Sequence, residues 1–293
     1  MTSDLTETTI TEAVLSSFDG TPDPRLRDIL RTLVRHLHAF VRDVEPTHQE
    51  WQNAVDFLTN VGHMCHGNRQ EFVLLSDTLG VSMLVDAINN RKPSKATEST
   101  VLGPFHVSGA PRRPLGADIA LDGAGEQCVV SGIVRSVDGT PVPGAFIDVW
   151  QANADGTYDV QTPDLLPESN LRGVFTADSD GRYWFRTIVP RYYPIPDDGP
   201  VGQMLRSTGR HPNRPAHIHF IAGGEGVATL TTHLFINQSP YIDSDAVFAV
   251  KQSLIREVVT VDAQDLASAY GVPNPFRLID FDMTLSPTGS CQG

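Results

Sequence analysis

Cysteine is scarce in this chain: three in 293 residues, Cys65, Cys128 and Cys291, far apart and odd in number. No disulfide framework and no cysteine-based zinc site follows from them. They read as two buried small hydrophobes and a tail thiol. Long apolar runs are missing too. No stretch reaches the roughly 20 residues that a membrane-spanning helix needs, so no membrane insertion is expected. The start, Met1-Thr2-Ser3-Asp4-Leu5, lacks the basic and apolar regions of a signal peptide. A reducing cytoplasm is the expected location. Basic residues are the minority, 22 Lys and Arg against 35 Asp and Glu, for a net charge of −13. That balance argues against nucleic acid or an anionic membrane as partner.

What is present divides into two textures. Residues 1 to about 95 read as helical. Ile10, Val14 and Leu15 have helical spacing, and after Pro22-Asp23-Pro24 the residues Leu26, Ile29, Leu30, Leu33, Val34, Leu37, Phe40 and Val41 recur at three and four. Thr47 with Glu50 reads as a capping box opening a third helix, which fades at Gly67-Asn68. A fourth is expected from about Gln70 to Asn90, stopping before Lys92-Pro93. The helical region carries more apolar surface than one stripe onto a small domain requires. A second subunit, a bound lipid or a thick intramolecular bundle would each absorb the surplus.

From about residue 100, Gly and Pro become frequent and the runs shorten. Strands are expected at Cys128–Val134, Ala145–Trp150, Arg182–Ile188, around His217–Phe220 and at Ala228–Ile236, with a further one between Phe276 and Leu285. Val189-Pro190-Arg191-Tyr192-Tyr193-Pro194-Ile195-Pro196 reads as a semi-rigid loop. The fold class is therefore α+β, a helical N-terminal region (1–100) followed by an all-β sandwich domain (101–293).

The chemistry begins at Arg214-Pro215-Ala216-His217-Ile218-His219-Phe220. On a strand, side chains alternate faces with period two. His217 and His219 then share one face while Ile218 and Phe220 enter a core on the other. Two imidazoles side by side make half a site for Zn, Fe, Cu or Ni, or two solvated histidines on an edge strand.

Several separate segments, in order, resemble the intradiol ring-cleavage dioxygenases, which open catechols between the two hydroxyls. They are Thr97-Glu98-Ser99-Thr100-Val101-Leu102-Gly103-Pro104-Phe105, Asp148-Val149-Trp150-Gln151-Ala152-Asn153, Asp155-Gly156-Thr157-Tyr158, Thr187-Ile188-Val189-Pro190, Gly209-Arg210-His211, Asn213–His219 and Leu230-Thr231-Thr232. The helical N-terminus resembles the catechol branch, so the resemblance spans nearly the whole chain. It implies one Fe(III) per subunit held by Tyr158, Tyr193, His217 and His219. Tyr193 rather than Tyr192 stands at the family's spacing after Ile-Val-Pro. It implies Tyr193 and Arg214 as catalytic, the first as a base that leaves the metal, the second stabilising negative charge. It implies a substrate pocket from Leu74, Asp77, Val101, Leu102, Gly103, Pro104, Phe105, Ile195, Pro196, Arg214 and His233. His233 replaces a common Gln, and its protonation would respond to pH. The resemblance further implies a homodimer through the N-terminal helices, with phospholipid at its interface.

Asp77, polar among apolar neighbours, suits a ring bearing an extra hydroxyl. The pocket stretches look most like those of members that cleave hydroxyquinol (benzene-1,2,4-triol) to 3-hydroxy-cis,cis-muconate and thence maleylacetate. Catechol or chlorocatechol is the alternative substrate. Two other classes stand beside these: a non-catalytic β-sandwich carrier, which would be colourless, and a zinc hydrolase, for which an acidic or third-histidine ligand motif is missing.

Overall fold

A computed structural model describes residues 4–67, 69–91 and 95–289. Cys291, Asn68, the Lys92-Pro93 stop and the Met1–Ser3 start lie outside these. Packing divides the chain into two compact units, Met1–Asn60 and Val61–Gly293. The residues just before 100 thus belong to the same unit as the strands, although the sequence texture changes at 100.

The first unit holds α1 (Ile10–Ser17), α2 (Pro24–Val44) and most of α3 (His48–His63). The Asp23 carboxylate accepts from the Arg25 and Leu26 amides and Pro24 opens α2, where its missing N–H costs nothing. The capping box at α3 forms as the sequence predicts. Glu50 Oε2 accepts from the Thr47 amide at 2.8 Å, and Thr47 Oγ1 accepts from the Glu50 amide at 3.2 Å. Not one residue of α2 is buried.

In the second unit, the single helix expected over 70–90 is two: α4 (Glu71–Thr78) and α5 (Val81–Asn89). Gly80 breaks it. Its φ is +73°, and its amide bonds back to the Asp77 carbonyl at 3.0 Å. This left-handed helix ending is cheap only for glycine, and helical periodicity alone does not reveal it. Helices α6 (Pro200–Ser207) and α7 (Gln264–Tyr270) were not expected from the sequence.

Two five-stranded sheets follow. In one, β1 (Gln127–Ser136) runs antiparallel to β4 (Arg182–Ile188). Its other edge takes β11 (Phe276–Asp280) and β12 (Met283–Leu285) in parallel, and β10 (Val259–Val261) pairs with β11. The other sheet has the order β3 (Arg172–Thr176), β2 (Phe146–Gln151), β7 (His217–Gly224), β8 (Val227–Ile236) and β9 (Ile255–Arg256). One buried cluster joins Val130, Val134 and Phe185 of the first sheet to Ile147, Val149, Ile218, Phe220 and Leu234 of the second. That is the face-to-face core of a sandwich. The Pro-rich loop before β7 contains a short strand, β5 (Tyr193–Pro194), paired antiparallel with β6 (Asn213–Arg214) so that Tyr193 opposes Arg214. Among the described residues no helix is long and apolar enough to cross a membrane.

Candidate active site

Because Ile218 and Phe220 enter the sandwich core, the intervening positions of β7 must face outward from it. His217 and His219 occupy them, and both are buried, covered by connections on that outer face. The same parity carries Trp150 of β2, whose Cα pairs with His219, and His233 of β8, which pairs with His219 on the other side. Trp150 stacks on the His219 ring with centroids 4.7 Å apart and planes 13° from parallel. His106 packs on Trp150 in turn and bonds Asp148 through Nε2 at 3.0 Å.

Tyr158 arrives on the turn after β2. Asn153 Oδ1 accepts from the Asp155 and Thr157 amides at 3.0 and 2.9 Å, which curls the chain and aims Tyr158 back at β7. Phe105 stacks on its ring at 4.5 Å. The next residue, Asp159, forms a buried ion pair with Arg172, whose Nη1 also donates to the Phe105 carbonyl at 3.1 Å. One guanidinium thus ties together both segments that enclose Tyr158. Tyr193 reaches the site from β5. Its neighbour Tyr192 packs instead against Tyr241 and under Arg191.

The result is a closed ring of donor atoms. Tyr158 Oη lies 3.3 Å from Tyr193 Oη, Tyr193 Oη 3.4 Å from His217 Nε2, His217 Nε2 3.2 Å from His219 Nε2, and His219 Nε2 3.1 Å from Tyr158 Oη. First-row ions bind such donors at about 2.0–2.2 Å, which leaves neighbouring ligand atoms about 3 Å apart, so the spacing fits a metal. Tautomers fit as well. His217 Nδ1–H donates to the Pro215 carbonyl at 2.7 Å, leaving the Nε2 lone pair directed into the ring. Burial first, and then Arg214, hold the His217 imidazole well below its usual pKa. Burial, then His217, do the same to His219. Both are neutral and ready to ligate. Burial and the adjacent Tyr193 push the Tyr158 phenol well above its usual value. A buried phenolate therefore needs a cation beside it, and imidazole with hard oxygen donors suits iron.

Arg214 is buried beside this ring, its Nη1 3.2 Å from His217 Nε2. Burial works against its charge, but Asp245 and the tyrosine oxygens outweigh that and hold the guanidinium above its usual range. A cavity of about 340 Å³ opens over Tyr193 and Arg214. Of the residues assigned to the pocket from the sequence, Leu74, Asp77, Val101, Gly103, Pro104, Phe105, Ile195, Pro196 and Arg214 line it. Leu102 does not and is half-exposed. His233 does not line it either: it lies fully buried behind His217 and His219, ring centroid 4.1 Å from His219. Its Nδ1 bonds the Thr100 hydroxyl, and Nε2 has no partner among the described residues. Burial and then His219 keep it well below the usual imidazole pKa, so it stays neutral instead of following ambient pH. The reading of the sequence missed Arg69, Gln70 and Val73 around the start of α4, Val247, and the pair Val160 and Gln161, which also line the cavity. The latter two directly follow the Tyr158 motif and were within reach of it. Val247 lies on a distant turn with no signature.

A prediction follows for Gly103, whose φ is +76° and where a Cβ would sit 2.9 Å from His219 Cε1. Gly103→Ala should push the His219 ring out of the donor ring and weaken retention of bound metal by about 10- to 100-fold. The thermal melt should still report a folded sandwich. Metal analysis after dialysis against a chelator checks this, and undiminished retention would contradict the packing.

Comparison with known proteins adds to this geometry. The model of the "Dioxygenase" family matches residues 103–287, and that of the "Catechol dioxygenase N terminus" matches residues 23–97. A hydroxyquinol 1,2-dioxygenase of Rhizobium sp. (strain MTP-10005) is 55% identical over 94% of both chains. A 6-chlorohydroxyquinol 1,2-dioxygenase of Cupriavidus pinatubonensis is 51% identical over 95% of this chain and 97% of its own. The crystal structure of hydroxyquinol 1,2-dioxygenase from Pseudomonas putida DLL-E4 superposes with a TM-score of 0.92 at 48% identity, covering 96% of this chain and 98% of that one. The chain, with its buried Tyr-Tyr-His-His ring, belongs to the intradiol ring-cleavage dioxygenases, a family of non-haem iron enzymes.

Proposed function

We propose that this chain is a hydroxyquinol 1,2-dioxygenase. It opens benzene-1,2,4-triol between the adjacent hydroxyls, and both atoms of O2 enter the 3-hydroxy-cis,cis-muconate that ketonises to maleylacetate. The observation that carries the reading is the ring of donors Tyr158, Tyr193, His217 and His219 at 3.1–3.4 Å. The identities of 55% and 51% to relatives named for hydroxyquinol and 6-chlorohydroxyquinol support the substrate over catechol or chlorocatechol.

The four donors would hold one ferric ion per subunit. When bound, that ion supplies a Lewis-acidic centre that takes the substrate as a chelating dianion and makes its ring reactive toward O2. The remaining work falls to side chains. Tyr193 lines the cavity, where its oxygen is the base for one substrate proton. Tyr158, fully buried beneath Phe105, stays a ligand. Arg214 meets the negative charge that grows as the ring opens, which a fixed guanidinium does well. Leu74, Val101, Gly103, Pro104, Phe105, Ile195 and Pro196 hold the ring flat and exclude water, and Asp77 receives the third hydroxyl. Burial raises the Asp77 carboxyl above its usual range, while Ser82 and Arg214 oppose the shift. A carboxylate there is costly unless a donor meets it, and the triol brings one. His233 supports the site from behind His219.

We further propose that residues 1–100 act in dimerisation and 101–293 in catalysis. The homodimer forms through the N-terminal helices with phospholipid between them, in the cytoplasm. Leu26, Ile29, Leu33, Leu37 and Phe40 along α2 are exposed and supply an apolar face for that contact. Cys65 and Cys128 are free thiols, which suits a reducing compartment.

Asp77→Ala is expected to cut kcat/KM for hydroxyquinol by about 10- to 100-fold, the worth of one hydrogen bond to a charged group, and that for catechol by less than about threefold. Equal losses on the two substrates would remove Asp77 from specificity. Iron uptake carries a second test. Binding must strip the proton from the Tyr158 phenol, whose pKa is raised, whereas the imidazoles, with lowered pKa values, are already neutral. Uptake by the apoprotein should therefore tighten as pH rises, by about tenfold per pH unit for each phenol proton released. Chelator competition between pH 6 and 8 measures the slope, and a flat profile would contradict phenolate ligation.

A further inference from the structure

Arg214 is 3% exposed and carries its charge next to the donor ring. What holds it lies far along the chain. Asp245, itself 5% exposed, accepts from Arg214 Nε through Oδ1 at 3.1 Å and from Nη2 through Oδ2 at 3.4 Å. A planar guanidinium gripped along one edge has one direction left for its third nitrogen. That nitrogen is Nη1, 3.2 Å from His217 Nε2. The carboxylate is held in turn: Oδ1 accepts from the Val247 amide at 3.3 Å and Oδ2 from the Ala249 amide at 3.0 Å. The Ala246 amide donates to the Asn213 carbonyl at 3.1 Å, which anchors the turn to the residue before Arg214. Val247, on the same turn, forms part of the cavity wall. Both oxygens of Asp245 are thus spent on Arg214 and on its own turn, and neither lines the cavity.

We infer that Asp245 is a positioning residue for ring cleavage, fixing the Arg214 guanidinium so that its free edge faces the reacting centre. The inference rests on the proposed dioxygenase reading and deepens it. Asp245 touches neither substrate nor ligand atoms; its hydrogen bonds act on the site through Arg214, and beyond them its charge only adds the smallest of the influences that raise Asp77. A buried pair of this kind is weak support for stability, and its value here is geometric. Without the carboxylate, a buried cation is free to turn toward the other negative groups that sense it, Asp77 on the cavity wall and the tyrosine oxygens.

The test is a double-mutant cycle on the iron-loaded full chain: Asp245→Asn, Arg214→Gln and the double variant, with kcat and KM for hydroxyquinol. Nitrocatechol affinity, read anaerobically from the visible spectrum, gives a measure independent of turnover. Asp245→Asn should lower kcat by about 10-fold or more, a share of the 10²–10³ that a transition-state donor supplies. KM and nitrocatechol affinity should stay within about threefold. In the Arg214→Gln background the same change should alter kcat by less than about twofold, because nothing remains to position. Unchanged kcat in Asp245→Asn, or equal loss in both backgrounds, overturns the inference. If the Asn variant does not melt cooperatively, Asp245→Glu replaces it. That variant keeps the charge, moves the guanidinium by its longer arm, and should show the same non-additive loss. Inactivity of the unaltered chain with iron bound would instead count against the dioxygenase reading, which keeps the two failures apart.

Discussion

Four lone-pair donors in a ring, each 3.1–3.4 Å from its two neighbours, two of them phenolic and all buried, set the terms for the rest of the second compact unit. Such crowding is tolerable with a cation at its centre and unfavourable without one. The fold secures each donor by a separate local device. Strand parity presents His217 and His219. The Asn153 turn returns Tyr158 toward them, and the short β5–β6 pair sets Tyr193 across from Arg214. Lost precision at any one device would leave the other donors in place but open the ring, since a metal site depends on the orientation of every ligand.

Charges around the ring are arranged in pairs. Arg214 with Asp245 and Arg172 with Asp159 are buried ion pairs, each neutral overall and each satisfied by further hydrogen bonds. The first stands beside the donor ring, and the second braces the Phe105 and Tyr158 segments. Pairing lets cations stand in a dry pocket without leaving an uncompensated charge. The cavity above is walled mainly by apolar side chains, with Asp77 among a few polar ones that include Arg69, Gln70, Gln161 and Arg214, and with its carboxyl shifted upward by burial. A largely apolar wall with a few placed polar groups is how a small site discriminates between rings that differ by a hydroxyl.

The sequence displays these features unequally. His217-Ile218-His219-Phe220 is legible from period two alone, because one face must feed the core. The Thr47–Glu50 capping box is legible because its spacing is a local rule. Tyr158 and Tyr193 are not: a tyrosine in a loop carries no local mark of a place in a donor ring, and only the resemblance of whole segments picked them out. The division of one apolar helical run into α4 and α5 hinges on the backbone conformation of Gly80. Asp245 left no trace, since its partner Arg214 is 31 residues earlier and the pairing exists only once β6 and the 245–249 turn have come together.

The central claim is that the Tyr158–Tyr193–His217–His219 ring holds ferric iron for attack on hydroxyquinol. It is tested most directly by a visible spectrum of the purified protein without oxygen, taken before and after adding the triol and again after admitting air. The account predicts a broad tyrosinate-to-iron band that shifts on adding the triol and then decays as a ring-opened product accumulates. A colourless protein, even after iron reconstitution, would contradict the ligand set. A coloured protein that ignores the triol but responds to catechol would keep the site and overturn the substrate.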